Sequence, residues 1–473
     1  VGNFSWQHLL QQRQPCLSID AAEVRCLSYY HKVVAPSLAR SLDVTFWAIH
    51  VPKVLDQEPA ARHAVLAISA LHEDFDATTL NRALGRLDEL THHTTRLEVN
   101  AGISYRYAFA LQHYNTAIRM ILEDRIRNAE VLLTVSLLFT CIELLQGSAG
   151  AAFKHCQYGV SLYHNGRLSP ELSAAFDHLS SFPQLVETLT LPEFSHPQGK
   201  PCSPTIGEMH TVVQARQMLE ATMARGARLL RLARGGREYN AYFSAQDLEI
   251  EQFHVLRTLG LWWKEFAALR WRLSFMSPAN ELDAASLRLL ETRWLVSNIL
   301  ASTCLAGTVD AFDEYLDQFQ LIVETAEHEQ TARNASGLRL PGFSFDLGYL
   351  PLLYIVAIHC RNLRLRVRAL VLLKDLSCAR ETIWDATILY ATARRVIELE
   401  HGLLLNEERM MGTTNPYPEE QPPNRILSFD NTNEAILDVD SEGHKVVHRR
   451  ICFDLRGPDG VVESLWDYTT LRI

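Results

Sequence analysis

The stretch that most constrains the fold runs from Gly342 to His401, GFSFDLGYLPLLYIVAIHCRNLRLRVRALVLLKDLSCARETIWDATILYATARRVIELEH. Leu350, Leu353, Tyr354, Ala357 and Ile358 recur at three- and four-residue spacing, the stripe of an amphipathic or buried helix. Pro351 fits the first turn of that helix, where a missing amide donor costs nothing. Leu363, Val367, Leu370 and Val371 continue an apolar face, while Arg361, Arg364 and Arg368 share another. A second helix is expected from about Ala379 to Leu399, so the unit reads as a helical hairpin with arginine-bearing edges.

The same 3.6-residue period recurs upstream. Asp20 is positioned to cap a helix carrying Val24 and Leu27, with Glu23 completing a variant capping box. Pro59 opens a helix with Ala64, Val65, Ile68 and Leu71 on one face. Between Ser104 and Tyr163 three further stripes are separated by short turns, the pattern of antiparallel neighbours without a fixed repeat length. Prolines 170, 183, 192, 197, 201 and 204 mark residues 169–204 as a loop excursion. Helical patterning returns over 206–234, 247–275, 287–306 and 309–326. Trp262, Trp263 and Trp271 in the second of these are core candidates, and one of the adjacent pair must face a cavity or interface.

After a breaker-rich linker at 410–424, three short alternating runs follow, with turn residues at 440–443 and 457–460. The expected fold is therefore mainly α: a bundle or repeat-like array of antiparallel helices over 20–409, with a 1–19 lead-in. A small antiparallel β element over 425–473 caps it.

Composition narrows function by exclusion. A net charge of −10 over 473 residues disfavours duplex nucleic acid as a direct partner. No apolar run reaches the length of a membrane span and no secretory signal is visible. Nine scattered cysteines, none in CxxC spacing, predict reduced thiols and no zinc site. Phosphate-binding glycine loops, nucleophile elbows and HExxH pairs are missing from the sequence, so neither metal nor cofactor is expected.

What remains are polar residues inside apolar helices. Glu143 lies in an apolar run just before Gly147; it serves either to close the helix end or pair with an arginine, or to face a ligand cavity. His155 and His359 carry the same two readings, and Trp262 and Tyr354 are the aromatic candidates for a cavity wall. If the chain is an enzyme, Glu143, His155 and His359 are the acid–base candidates. The arginines over 361–395 are read as solvated or paired with Asp375, Glu381, Asp385, Glu398 or Glu400, ahead of anion recognition.

LGYLPLLYIVAIHCR, LRVRAL, ETIWDA and ARRVIELE, together with FWAIHVPKVLDQEPAARHAVLAISALHE, ALQHYNTAI and HCQYGVSLY, resemble the fungal-specific transcription factor domain. The resemblance extends over roughly residues 20–473. It implies an all-helical, effector-responsive and dimer-associated regulatory region of nuclear proteins. It supplies no catalytic set. The six-cysteine zinc module that usually precedes this domain is not in these residues, and is expected upstream, on a partner, or nowhere.

Beside a purely structural interaction scaffold, two functions stay open on this reading, the first of them favoured by the extent of the resemblance. One is a domain that senses a small apolar or aromatic metabolite, a second copy of itself or a regulatory protein. The other is a cytoplasmic, cofactor-free isomerase, cyclase or hydrolase of fungal secondary metabolism on the same scaffold.

Overall fold

A computed structural model describes residues 20–39, 45–83, 105–123, 129–163, 172, 175, 206–234, 244–276, 281–337, 340–410, 417, 422–439 and 445–472. The lead-in, nearly all of the proline-rich excursion and most of the 410–424 linker lie outside these residues.

The helices are α1 (Ala21–Tyr29), α2 (Ala35–Ala39), α3 (Val51–Leu55), α4 (Pro59–Ala83), α5 (Tyr105–Glu123), α6 (Ala129–Leu145) and α7 (Ala149–Tyr163). They continue with α8 (Val212–Arg234), α9 (Ala245–Met276), α10 (Glu281–Thr303) and α11 (Leu316–Ser336), the last preceded by a 3-10 turn, Val309–Tyr315. The Gly342–His401 stretch holds α12 (Leu350–His359), α13 (Leu363–Leu376) and α14 (Ala386–His401), with the two-residue strands β1 (Phe343–Ser344), β2 (Arg380–Glu381) and β3 (Trp384–Asp385). A short α15 (Glu407–Met410) leads to β4 (Arg425–Val439), β5 (Lys445–Arg456) and β6 (Val462–Arg472). The mainly helical body with a C-terminal antiparallel sheet is the architecture expected from the sequence. The sheet has β5 at its centre, pairing with β4 and β6. Ile451 and Phe453 on β5 are fully buried while Cys452 and Asp454 are not, the alternation of a strand with one inward face.

The long apolar periods set up the core. α12 is buried along nearly its whole length and lies against α13, α14, α10 and α11, so it forms the axis of the C-terminal half. α4, α5, α6 and α7 form the N-terminal helical layer. Asp20 accepts from the Ala22 amide as an N-cap, but Glu23 reaches Arg62 at 3.2 Å instead of closing the capping box.

Three local expectations are corrected. α12 and α13 are separate helices, because Asn362 leaves helical geometry and caps α13 by accepting from the Leu365 amide. The following helix begins at Ala386 and not near Ala379, because Asp385 caps it through the Thr387 and Ile388 amides. Trp271 is 67% exposed. It stands nine residues from buried Trp262, and at about 100° per residue nine positions reach the opposite side of a helix.

The two halves meet at a small clasp. β2 pairs in parallel with β1 and antiparallel with β3. The Arg380 guanidinium donates to the Leu144 and Leu145 carbonyls at the end of α6 (3.2 and 3.4 Å) and to Asp385 (3.2 Å). Glu381 accepts from the Gly348 and Leu350 amides at the start of α12, the terminus where a carboxylate is electrostatically favoured. Gly147 turns the chain after α6 at φ +75°, and a Cβ there would stand 3.0 Å from Arg380. The ARETIWD run is thus a set of helix caps.

Candidate functional site

The structure brings two of the sequence-selected residues together and separates the rest. Tyr114 on α5 donates its hydroxyl proton to Glu143 Oε1 on α6 at 2.6 Å. The Tyr114 hydroxyl oxygen also lies 3.3 Å from His155 Nε2 on α7. A hydroxyl has one proton, and here it is committed to the carboxylate. The imidazole contact is therefore satisfied with a proton on Nε2, leaving Nδ1 as an acceptor. Burial lowers the His155 pKa against the opposing pull of the Glu143 charge, so the neutral ring this relay needs is the favoured form. Burial first, then the Glu143 hydrogen bond and charge, push the Tyr114 phenol well above its ordinary range, keeping it a donor.

The relay sits in an aromatic setting. Phe139 meets Tyr114 and His155 edge-on, with ring centres 5.1 and 5.4 Å away. Ser136 donates to the His155 carbonyl at 2.6 Å and ties α6 to α7. Glu143 and His155 are half-buried, so the relay is neither sealed in the core nor free in water. It can present carboxylate and imidazole acceptors to a donor-bearing molecule, or pass a proton along the chain. Tyr114 is the residue that sequence reasoning placed only in an apolar stripe; its position in ALQHYNTAI carries no local sign of its partners, which lie 29 and 41 positions away.

His359 is not part of this group. It ends α12 and stacks on Phe312 of the 3-10 turn, with ring centres 3.9 Å apart. Trp262 is fully buried and donates to the Ala215 carbonyl at 2.8 Å, a core role. Tyr354 is buried on α12, with its ring 6.4 Å from that of Trp384. Trp263, next to Trp262, stacks on Trp294 at 4.3 Å, so the pair divides between two helix contacts.

The arginines are predominantly paired. Arg366 reaches Glu400 at 2.5 Å with both side chains buried, Arg394 and Arg395 reach Glu398, and Arg395 also holds Asp467 of the sheet. Arg361 and Arg368 take partners not foreseen, Asp313 and Glu327. Of the carboxylates expected to serve here, Asp375 instead accepts from Gln330, and Glu381 and Asp385 belong to the clasp.

A second polar assembly lies deeper. Arg216 and Arg293 meet Glu220 and Asp346, all nearly inaccessible, with Arg216–Glu220 at 2.7 Å and Arg293–Asp346 at 2.7 Å. Two cations and two anions cancel.

Beside Phe312 a cavity of about 70 Å³ is lined by Phe312, Asp313, Leu316, Phe319, Cys360, Arg361 and Asn362. Among the described residues no group of three His, Cys, Asp or Glu side chains could hold a metal, and no helix is long and apolar enough to cross a membrane. The seven described cysteines are free thiols. Burial pushes those of Cys141, Cys156 and Cys360 up, the last to about 11, so they behave as small apolar side chains.

These features define the class: a mainly α-helical protein with a C-terminal antiparallel sheet and buried polar assemblies between its helices. Compared with known protein families, characterised proteins and solved structures, the chain finds no match in any of the three.

Proposed function

We propose that the chain is a regulatory helical domain of the fungal transcription factor type, acting in the nucleus and responding to a small apolar or aromatic metabolite. The observation that supports this reading is the half-buried Glu143–Tyr114–His155 relay beside Phe139. An apolar layer furnished with two acceptors and an aromatic wall suits a ligand that is mostly hydrophobic and carries one hydroxyl or amine donor. Binding there would hold α5, α6 and α7 together, and the Arg380 contact to the end of α6 gives a physical route from that layer to the C-terminal half. A second copy of the chain or a regulatory protein would receive the change.

The same relay supports one competing reading, a cofactor-free acid–base enzyme, because a carboxylate, a phenol and an imidazole in line can move a proton. A thermal-shift screen of phenolic and aliphatic hydroxy compounds separates them. On the regulatory reading, selected compounds raise the unfolding midpoint by linkage, an effect lost in Glu143→Gln and Tyr114→Phe, and are recovered unchanged by mass spectrometry. Conversion of a stabilising compound to product replaces the regulator with the enzyme. Stabilisation that persists in both variants removes the relay from either role.

A further inference from the structure

Behind the Phe312 cavity, three arginines and a histidine converge from distant parts of the chain. Arg361, just before α13, holds Asp313 at 3.1 Å and the Pro422 carbonyl at 3.1 Å. Arg425, at the start of β4, donates to the Val309 carbonyl at 2.8 Å and has Asp313 3.9 Å away. Arg366 uses Nε on the Ala357 carbonyl and Nη1 on Glu400, whose other oxygen accepts from the Ile426 amide. His401 follows Glu400 in the last turn of α14. Three guanidinium groups thus share two carboxylates. The neighbouring Asp310 accepts from Arg456 with both its oxygens at 2.7 Å and also lies 3.9 Å from Arg425 Nε, so with that pair included the guanidinium groups still outnumber the carboxylates by one.

The hydrogen-bond inventory repeats the imbalance. Arg361 Nε, Arg366 Nη2, Arg425 Nε and Nη1, and His401 Nε2 are buried without a hydrogen-bond partner, as is the acceptor Asp313 Oδ1, although Arg425 Nε and Asp313 Oδ1 each face an opposite charge at 3.9 Å. Buried donors are costly to leave unmet, and five beside one another, with a positive charge in excess, describe a place for an anion. Arg361 and Asp313 also line the cavity, which gives the cluster an approach from outside. Arg366 and Arg425, 0% and 3% exposed, are the buried members of the cluster and are not part of the cavity wall.

The geometry points to a binding site for a protonated phosphate-class oxyanion, held between Arg361, Arg366 and Arg425 with Asp313 and His401 completing its contacts. Tetrahedral oxygens answer the guanidinium donors. Asp313 Oδ1 needs a donor in return, and hydrogen phosphate has a hydroxyl where sulfate has none. The cavity, about 70 Å³, admits the oxyanion itself. Inorganic phosphate and the phosphate of a small monoester share this chemistry. The site stands apart from the Glu143 relay and does not depend on the regulatory reading.

The test is thermal unfolding and calorimetric titration of the full chain with inorganic phosphate, glycerol phosphate and sulfate, each against potassium chloride at matched ionic strength. Saturable stabilisation by phosphate or its monoester is expected, with sulfate at least about tenfold weaker, equal to about 1.4 kcal/mol. Saturation by phosphate alone assigns the free ion, and saturation by the ester as well assigns the phosphomonoester class. Arg361→Gln, at the accessible edge, should weaken binding about tenfold or more. Asp313→Asn should bring sulfate to within a few fold of phosphate, because the repelling carboxylate is gone. Tyr114→Phe should leave phosphate binding unchanged. No saturable effect beyond potassium chloride overturns the site and leaves its donors to water alone. Binding that survives Arg361→Gln intact, or a preference for phosphate over sulfate untouched by Asp313→Asn, overturns it equally.

Discussion

The quartet Arg216–Glu220–Arg293–Asp346 and the cluster Arg361–Arg366–Arg425–His401 are both arginine-rich and both buried, yet they are built on opposite principles. In the quartet two carboxylates answer two guanidinium groups, and Arg293 also donates to the Leu347 carbonyl. In the cluster three guanidinium groups answer to Asp313 and Glu400, and five ring or guanidinium nitrogens have no hydrogen-bond partner. A balanced network fixes helices against one another. A network short of one anion has the same positioning role and carries an unbalanced positive charge. Arg293 Nε of the quartet also has no hydrogen-bond partner, so neither burial nor an unmet donor separates structural arginines from ligand-binding ones; the charge sum does.

The comparison is broken most forcefully at the quartet. Arg293→Met should leave Glu220 and Asp346 buried with one cation between them, at a cost of about 3–5 kcal/mol in urea unfolding. The matching change in the cluster, Arg425→Met, removes the excess charge along with the Val309 hydrogen bond, and should cost only about 1–2 kcal/mol. Equal losses at the two positions would erase the distinction.

The acid limb of stability sharpens it further. Burial, then the charges of Arg366 and Arg361, lower the His401 pKa to about 3 from an ordinary 6.5. A group depressed in this way binds its proton in the unfolded chain first. Its contribution is complete above pH 6.5 and drains away as pH falls from 6.5 toward 3. His401→Gln should therefore lose less stability between pH 8 and pH 5 than the parent chain, measured by urea midpoints at both. An identical loss would place His401 outside the field of the arginines. The smallest effect is expected at the rim: Arg368→Ala, which frees a partly exposed pair with Glu327, should change stability by less than about 1 kcal/mol and leave phosphate response intact.

How much of this the sequence revealed depended on whether a feature is local. Helical periods, the β tail and the Asp20 cap were legible because their causes lie within a turn or two of chain. Asn362 and Asp385 could have been recognised as caps, since both are residue types that accept from helix amides, yet the continuous apolar pattern on either side concealed the boundaries. Trp271 was misplaced by counting aromatics without following their angle around the helix. Glu143 and His155 were legible as polar residues in apolar helices, but Tyr114, the atom-bridge between them, was not. The cluster was the least visible. Arg361 and Arg366 appeared as one row of cations, while Arg425 stood in the linker-to-strand region and Asp313 in a different helical segment. Nothing within ten residues of either hints that they meet.

The clasp has a consequence for the order in which the chain matures. The carbonyls of Leu144 and Leu145 receive their donors from Arg380, some 235 positions later, and Ser37 donates to the Phe343 carbonyl across 306 positions. Until synthesis has passed those points, the end of α6 has water in place of its final partners, and the N-terminal layer waits with an open seam. Such distant closures slow folding and lengthen exposure of unfinished surfaces. Truncation before Arg380 should accordingly yield a chain that gains its helices and fails to gain cooperative unfolding, a contrast readable by circular dichroism against calorimetry.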